Sequence, residues 1–194
     1  RSRGRDVSMD EIAAEIGVSK TVLYRYFVDK NDLTTAVMMR FAQTTLIPNM
    51  AAALSSNLDG FDLVREIIRV YVQTVAQEPE PYRFVMANSS ASKSKVIADS
   101  ERIIARMLAV MLRRRMSVVG MDTSGVEPWA YMIVGGGQLA THSWMSNPHM
   151  TSAELIDYLT MLCWSALCGI VEVGGSLERF NAAPHPSPVP PRLR

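Results

Sequence analysis

The side chains with the most useful chemistry cluster near the start of the chain: Ser19, Lys20, Thr21, Tyr24, Arg25, Tyr26 and Lys30. Lys20 and Arg25 can meet phosphate or guanine, Thr21 suits a base edge or a thymine methyl, and tyrosine hydroxyls bond phosphate oxygens. No carboxylate occurs between Glu15 and Asp29, so this segment carries no acid of its own to repel a polyanion. Catalytic chemistry finds no comparable set. His142 and Ser143 are adjacent and diverge by about 100° on a helix. Neither Ser143 nor Ser165 sits in a G-x-S-x-G elbow, and Asp157 stands in no triad order with them. His142, His149, Cys163 and Cys168 lack the spacing of a metal site. The expectation is a binding protein, not an enzyme, with no cofactor and no metal.

Two short helices joined by a tight turn must position these groups. Ser8 stands where an N-cap is wanted and Glu11 follows three residues later, the pattern of a capping box. Met9, Ile12, Ala13 and Ile16 recur at spacings of three and four and predict one buried face, with Asp10, Glu11 and Glu15 on the other side. Gly17 can take the left-handed conformation that ends a helix, and Ser19 offers the next N-cap two residues on. The second helix spans roughly Lys20 to Phe27. Val22, Leu23, Tyr26 and Phe27 are expected to pack, leaving Lys20, Thr21, Tyr24 and Arg25 available to a partner. Asp29 and Asp32 flank Lys30 at the next helix start, where the positive terminus and the ammonium together favour a phosphate.

The run IAAEIGVSKTVLYRYFVDKNDL resembles the DNA-binding domain of the TetR family of bacterial transcriptional regulators. Ile12, Ala13, Gly17, Val18, Ser19, Leu23, Tyr24, Phe27, Lys30 and Leu33 match the family pattern as they stand. The resemblance implies an all-α fold, with an N-terminal helix-turn-helix domain and a C-terminal helical domain for ligand binding and dimerisation. It implies a homodimeric one-component sensor, and it places Ser8, Ser19, Lys20, Thr21, Tyr24, Tyr26 and Lys30 at positions that touch DNA. The family carries a further helix before this motif. The chain opens at Arg1-Ser2-Arg3-Gly4, near where that helix should end, so a trimmed or incompletely observed N-terminus is expected.

A chain of 194 residues with 48% hydrophobic content can bury a genuine core. A net charge of +1 argues against a protein that coats nucleic acid nonspecifically. Two cysteines five residues apart read as buried free thiols. The expected domains are residues 1–47 for DNA reading, 48–181 for effector binding and dimerisation, and 182–194 as a disordered proline-rich tail. A rod through Leu33, Val37, Phe41 and Thr44 links reader to body and should end at Pro48. Leu63, Ile67, Val70, Tyr71 and Val75 mark a helix closed by Pro79 and Pro81, with a short helix from Tyr82 to Ala87 and a polar loop from Asn88 to Ser94. A long helix from about Lys95 to Val118, with Ile97, Ile104, Met107, Leu108, Met111 and Leu112 inward, stops at Gly120. Pro128 begins the next, and a second capping box, Thr151 with Glu154, begins the last, which gives out near Gly174-Gly175.

The apolar stretches Trp129 to Met145 and Leu155 to Val173 are marginal for a bilayer, which needs about 20 apolar residues. They are expected instead to form a four-helix dimer interface with their symmetry mates. Gly135-Gly136-Gly137 costs helix stability, and close approach of a partner helix is the preferred explanation; a kink that opens a cavity and a break in the helix are the alternatives. Arg113, Arg114 and Arg115 read as a solvated helix end. Among the thirteen methionines and three tryptophans, Met107, Met111, Trp129, Met132 and Met145 are candidates to line an apolar effector site, though each would also suit a core. Lipid-like or acyl ligands come first and planar aromatic drugs second. The resulting expectation is a cytoplasmic, ligand-responsive, sequence-specific regulator, a repressor, on a near-palindromic double-stranded DNA operator, with no membrane partner. The alternative is a small helical membrane or protein-interaction protein without DNA-binding activity.

Overall fold

The structure is a computed structural model that describes residues 8–77 and 91–185, the side chains of 91–96 excepted. The expected helix from Tyr82 to Ala87, the chain before Ser8 and most of the proline-rich tail lie outside the described residues. Among those described there is no strand. The helices are α1 Met9–Glu15, α2 Lys20–Tyr26, α3 Lys30–Phe41, α4 Ile47–Leu54, α5 Gly60–Gln77, α6 Ala91–Val118, α7 Val126–Ser146, α8 Ser152–Glu172 and α9 Leu177–Ala182.

Three boundaries differ from expectation. Pro48 does not end the rod: α3 passes through a π turn, Ala42–Leu46, into α4, and the backbone stays helical across the junction. Proline lacks the N–H that would bond the carbonyl of Thr44, and its ring would crowd that turn. The wider π turn directly before it accommodates the ring. The run from Lys30 to Leu54 therefore extends on the order of 37 Å at 1.5 Å per residue. The long helix α6 starts by Ala91, ahead of Lys95. Helix α7 starts at Val126, which puts Pro128 in its first turn, where a missing N–H leaves no intrahelical bond unmade.

Among the described residues the body shows two apolar clusters. Leu54 of α4, Leu108, Ala109 and Met116 of α6, and Val126 and Ala130 of α7 bury together, with Trp129, Met107 and Met111 packed against them. Val72 of α5 meets Leu155 and Ile156 of α8, with Tyr71 and Trp144 alongside. All three tryptophans find partners within the chain. The Trp144 Nε1–H donates to the Met150 carbonyl at 2.8 Å, and Trp164 stands edge-on to Phe61 at 5.7 Å.

The end of α8 is pinned to the α6–α7 connection, because the Asp122 N–H donates to the Gly174 carbonyl at 2.9 Å. Gly175 has φ +72°, and a Cβ there would collide with the Asp122 carbonyl oxygen. Gly175→Ala is expected to destabilise the fold by about 1–3 kcal/mol, through positive φ and the displaced loop. Urea denaturation of both proteins checks it.

The three central glycines of α7 do not break the helix, and a Cβ at Gly135, Gly136 or Gly137 would find nothing within 4 Å among the described residues of other segments. Burial pushes the half-buried Cys163 thiol above its ordinary value, whereas Cys168 is exposed, against the expectation for both. Helix α8 is long and apolar enough to cross a membrane, and only 17% of its most apolar window is buried within the chain.

Candidate nucleic-acid interface

The reader is built on a small core: Met9 and Ala13 of α1 and Leu23 of α2 are buried, with Ile12, Phe27 and Leu33 packed around them. The predicted caps all form. The Ser8 hydroxyl accepts from the Glu11 N–H at 3.2 Å, and the Glu11 carboxylate accepts from the Ser8 N–H at 2.7 Å. Gly17 takes φ +72°, the left-handed turn that lets α2 follow so closely. Ser19 then accepts from the Val22 N–H at 3.3 Å.

With Leu23 as the inward direction, Thr21 and Arg25 lie about 160° away at 100° per residue. Both are exposed, and Tyr24 and Tyr26 flank them as exposed side chains. Expectation fails at three packing positions. Ile16 is 59% exposed, because α1 ends at Glu15 and its cap leaves the buried face. Val22 and Tyr26 are exposed too, since a helix of seven residues buries only a narrow stripe, which Leu23 and Phe27 occupy. Val22 thus joins the open surface, where a methyl-bearing side chain suits a thymine methyl.

The cations are placed differently from one another. Lys20 does not stand alone on α2: its ammonium donates to the Asp10 carboxylate of α1 at 2.7 Å and lies 5.7 Å from the Tyr24 ring centre. The hydrogen bond and charge of Asp10 raise the Lys20 pKa above its ordinary value, with a further contribution from Tyr24. The absence of acid within α2 therefore misses the one that α1 supplies, ten residues earlier in the chain. At the start of α3, Asp29 accepts from the Asp32 N–H at 2.8 Å and Asp32 accepts from the Val28 N–H at 3.0 Å. Carboxylates of the chain itself thus take the Asp32 N–H of that helix terminus and the Val28 N–H just before it. Lys30 is half-buried there. The Ser8 hydroxyl also donates to Glu11, at 3.0 Å, so both its proton and a lone pair serve the cap.

Residues 2–37 match the family model described as bacterial regulatory proteins of the tetR family, and residues 49–177 match a tetracyclin repressor-like C-terminal domain. The chain belongs to the TetR family. An uncharacterized HTH-type transcriptional regulator of Mycobacterium tuberculosis (strain ATCC 25618 / H37Rv) is 83% identical over 191 residues, 98% of this chain and 82% of that protein. The HTH-type transcriptional activator FasR of Mycolicibacterium smegmatis is 31% identical over 90 residues, 46% of this chain and 41% of FasR. Among solved structures, a putative TetR-family regulator from Syntrophomonas wolfei superposes with TM-score 0.68 at 20% identity, covering 89% of this chain and 86% of that one. The fatty acid degradation regulator FadR from Bacillus halodurans superposes with TM-score 0.62 at 14% identity, covering 82% of this chain and 88% of that one. The protein is a DNA-binding transcriptional regulator of the all-α TetR type, a non-enzymatic class whose members bind operators and dimerise.

In this TetR-type body the five candidate ligand residues do not converge. Met107 and Met111 line an open cleft of about 1030 Å³ between the end of α4 and the outer side of α6, together with Leu54, Val110, Arg106 and Arg114. Trp129 packs into the core of α6 and α7, Met145 is buried, and Met132 is 64% exposed on α7. Helical periodicity places each on a helix but does not say which neighbour it faces. Arg115, in the expected solvated cluster, instead pairs with Asp59 and donates to the Leu58 carbonyl at 2.9 Å, tying the end of α6 to the α4–α5 connection.

Proposed function

We propose that this regulator grips a near-palindromic operator as a homodimer, one reader per half-site, and is a repressor released when an apolar ligand enters its body. The DNA contacts rest on one observation: Thr21, Tyr24, Arg25 and Tyr26 are all exposed on α2, with Thr21 and Arg25 opposite Leu23, which is locked into the reader core. Ser19 and Lys30 stand at the two ends of that surface and supply backbone contacts. Ser8 contributes as the cap that fixes α1. The dimer is assigned to α7 and α8, whose Met132, Leu139, Met161 and Leu162 are each more than half exposed. The glycines of α7 leave room for a partner helix to approach. A patch of this kind on a monomer marks an interaction surface. The regulator acts in the cytoplasm, on chromosomal operators, and the apolar side of α8 is covered by its mate and not by lipid.

The cleft supports the ligand half of the reading. Its wall is α4, which continues through the π turn into α3, and α3 carries Lys30 at the reader end. A molecule seated between α4 and α6 therefore bears on the element that sets the spacing of the two readers. Met107, Met111 and Leu54 give it an apolar floor, and the Arg106 and Arg114 side chains give it cationic groups at the rim. An acyl chain with an acidic head suits both features better than a planar aromatic drug. The name of the Bacillus halodurans neighbour, a fatty acid degradation regulator, lends support to that choice.

Selection from random duplexes is expected to return a near-palindrome with half-site centres about 34–36 Å apart. A single asymmetric half-site overturns the dimeric reading. Long-chain fatty acids and their thioesters, titrated into the operator complex, should weaken it by about 5–150-fold, the usual range of such couplings. Met111→Trp, which fills the cleft, should abolish that response and keep operator affinity. Release by planar aromatics alone, or by neither class, removes the acyl reading. Transcription from a template carrying the selected operator decides the sign of regulation, since the relative FasR bears an activator's name: more transcript on adding protein overturns repression.

A further inference from the structure

The pair between Asp10 and Lys20 belongs to neither cap nor core. It joins the first turn of α1 to the first turn of α2, across the turn that separates them, at 2.7 Å with both side chains more than half exposed. On its other side the Lys20 ammonium lies 5.7 Å from the centre of the Tyr24 ring, so it stands between a carboxylate of α1 and an aromatic ring of its own helix. In water such a pair is weak. Beside a duplex it matters for another reason. A phosphate that drew Lys20 away would leave the Asp10 carboxylate bare next to a polyanion, exchanging one oxyanion partner for another. The exchange gains nothing that a lone lysine would gain by neutralising a phosphate and releasing its counterion.

We propose that Asp10 is a specificity-determining residue of the reader: it withholds Lys20 from the DNA backbone, so that this lysine acts only at the operator, through the ammonium protons Asp10 leaves unbonded. An ammonium has three donors, and the held geometry leaves the others for a base edge such as guanine N7 or O6. Nonspecific DNA, bound through phosphates alone, is thereby denied one cation per protomer. The discrimination between operator and other sequence widens without an added contact. The inference rests on α2 being the reading helix.

The test is the salt dependence of binding by the intact regulator, wild type and Asp10→Asn, to a random-sequence duplex between about 50 and 200 mM salt. Freed by the substitution, Lys20 should add one phosphate contact per reader. The log–log slope should then steepen by about 0.9 per reader, and random-sequence affinity should rise roughly ten-fold while operator affinity rises less or falls. Lys20→Ala, which leaves the Asp10 carboxylate bare, should not steepen the slope on random duplex and should weaken binding to random duplex and to operator, the operator more. The double variant Asp10→Asn/Lys20→Ala should return to the wild-type slope. An unchanged slope in Asp10→Asn overturns the proposal. So does a slope equally steep in the double variant, which would make Asp10 a simple repulsive charge acting without Lys20. A flat salt response of the wild type would instead remove the DNA-reading helix itself, and the inference with it.

Discussion

Arg25→Ala is expected to weaken operator binding by about 2–6 kcal/mol per dimer, from tens-fold to about ten-thousand-fold, with the melting temperature almost unchanged. The estimate takes about 1–3 kcal/mol for a guanidinium paired with a base edge and counts it once per half-site. Arg25 is exposed, on the side of α2 away from Leu23, so truncating it opens no cavity. Surface changes of that kind stay within about 0.5 kcal/mol of the parent stability. Leu23→Ala makes the contrast: it removes a side chain only 5% exposed from the reader core and should cost about 2–5 kcal/mol of folding. Its DNA binding should fail because the domain loosens. Gel-shift titration with thermal unfolding of both variants separates the two causes. Operator affinity retained in Arg25→Ala would take Arg25 off the reading surface.

The second large effect concerns assembly. Leu162→Glu is expected to split the dimer, raising its dissociation constant by at least about a hundred-fold, and to abolish operator binding at working concentration. Leu162 is 67% exposed on α8, beside Met161 and Tyr158, so the isolated chain tolerates a carboxylate there. In a four-helix interface related by a two-fold axis the same substitution places two unpaired carboxylates in an apolar contact. Burying an uncompensated charge costs roughly 3–5 kcal/mol. Two readers that are no longer joined lose the effective concentration that makes the second half-site bind after the first. Sedimentation should show monomers with unchanged helical content. Dimers of parental strength would move the interface off α7 and α8.

These two expectations draw on different kinds of information in the chain. The caps were legible because they are made within four residues: Ser8 with Glu11, Ser19 with Val22, Thr151 with Glu154. The left-handed turn at Gly17 and the helix end at Gly174 are local in the same sense. A hydrogen bond closed inside one turn needs no knowledge of the rest of the fold. The motif residues of the reader therefore settle the fold class and family, and the apolar spacing settles where most helices run.

What one helix meets is a different matter. Periodicity assigned Ile16, Val22 and Tyr26 to the packed side, yet a seven-residue helix in a three-helix core has one narrow contact stripe, and its neighbours choose which residues fall in it. The same limit scattered the methionines: Met107 and Met111 reach the cleft beside α4, while Met145 is buried and Met132 faces outward. The π turn just before Pro48 is one that no residue pattern announces. The chain alone thus determined the capped, tightly turned reader and its helical body, because those follow from contacts between near neighbours. Tertiary structure alone decided that Asp10 holds Lys20, that Val22 and Tyr26 join the open surface, and that a cleft opens along α4, because each depends on the docking of one helix against another.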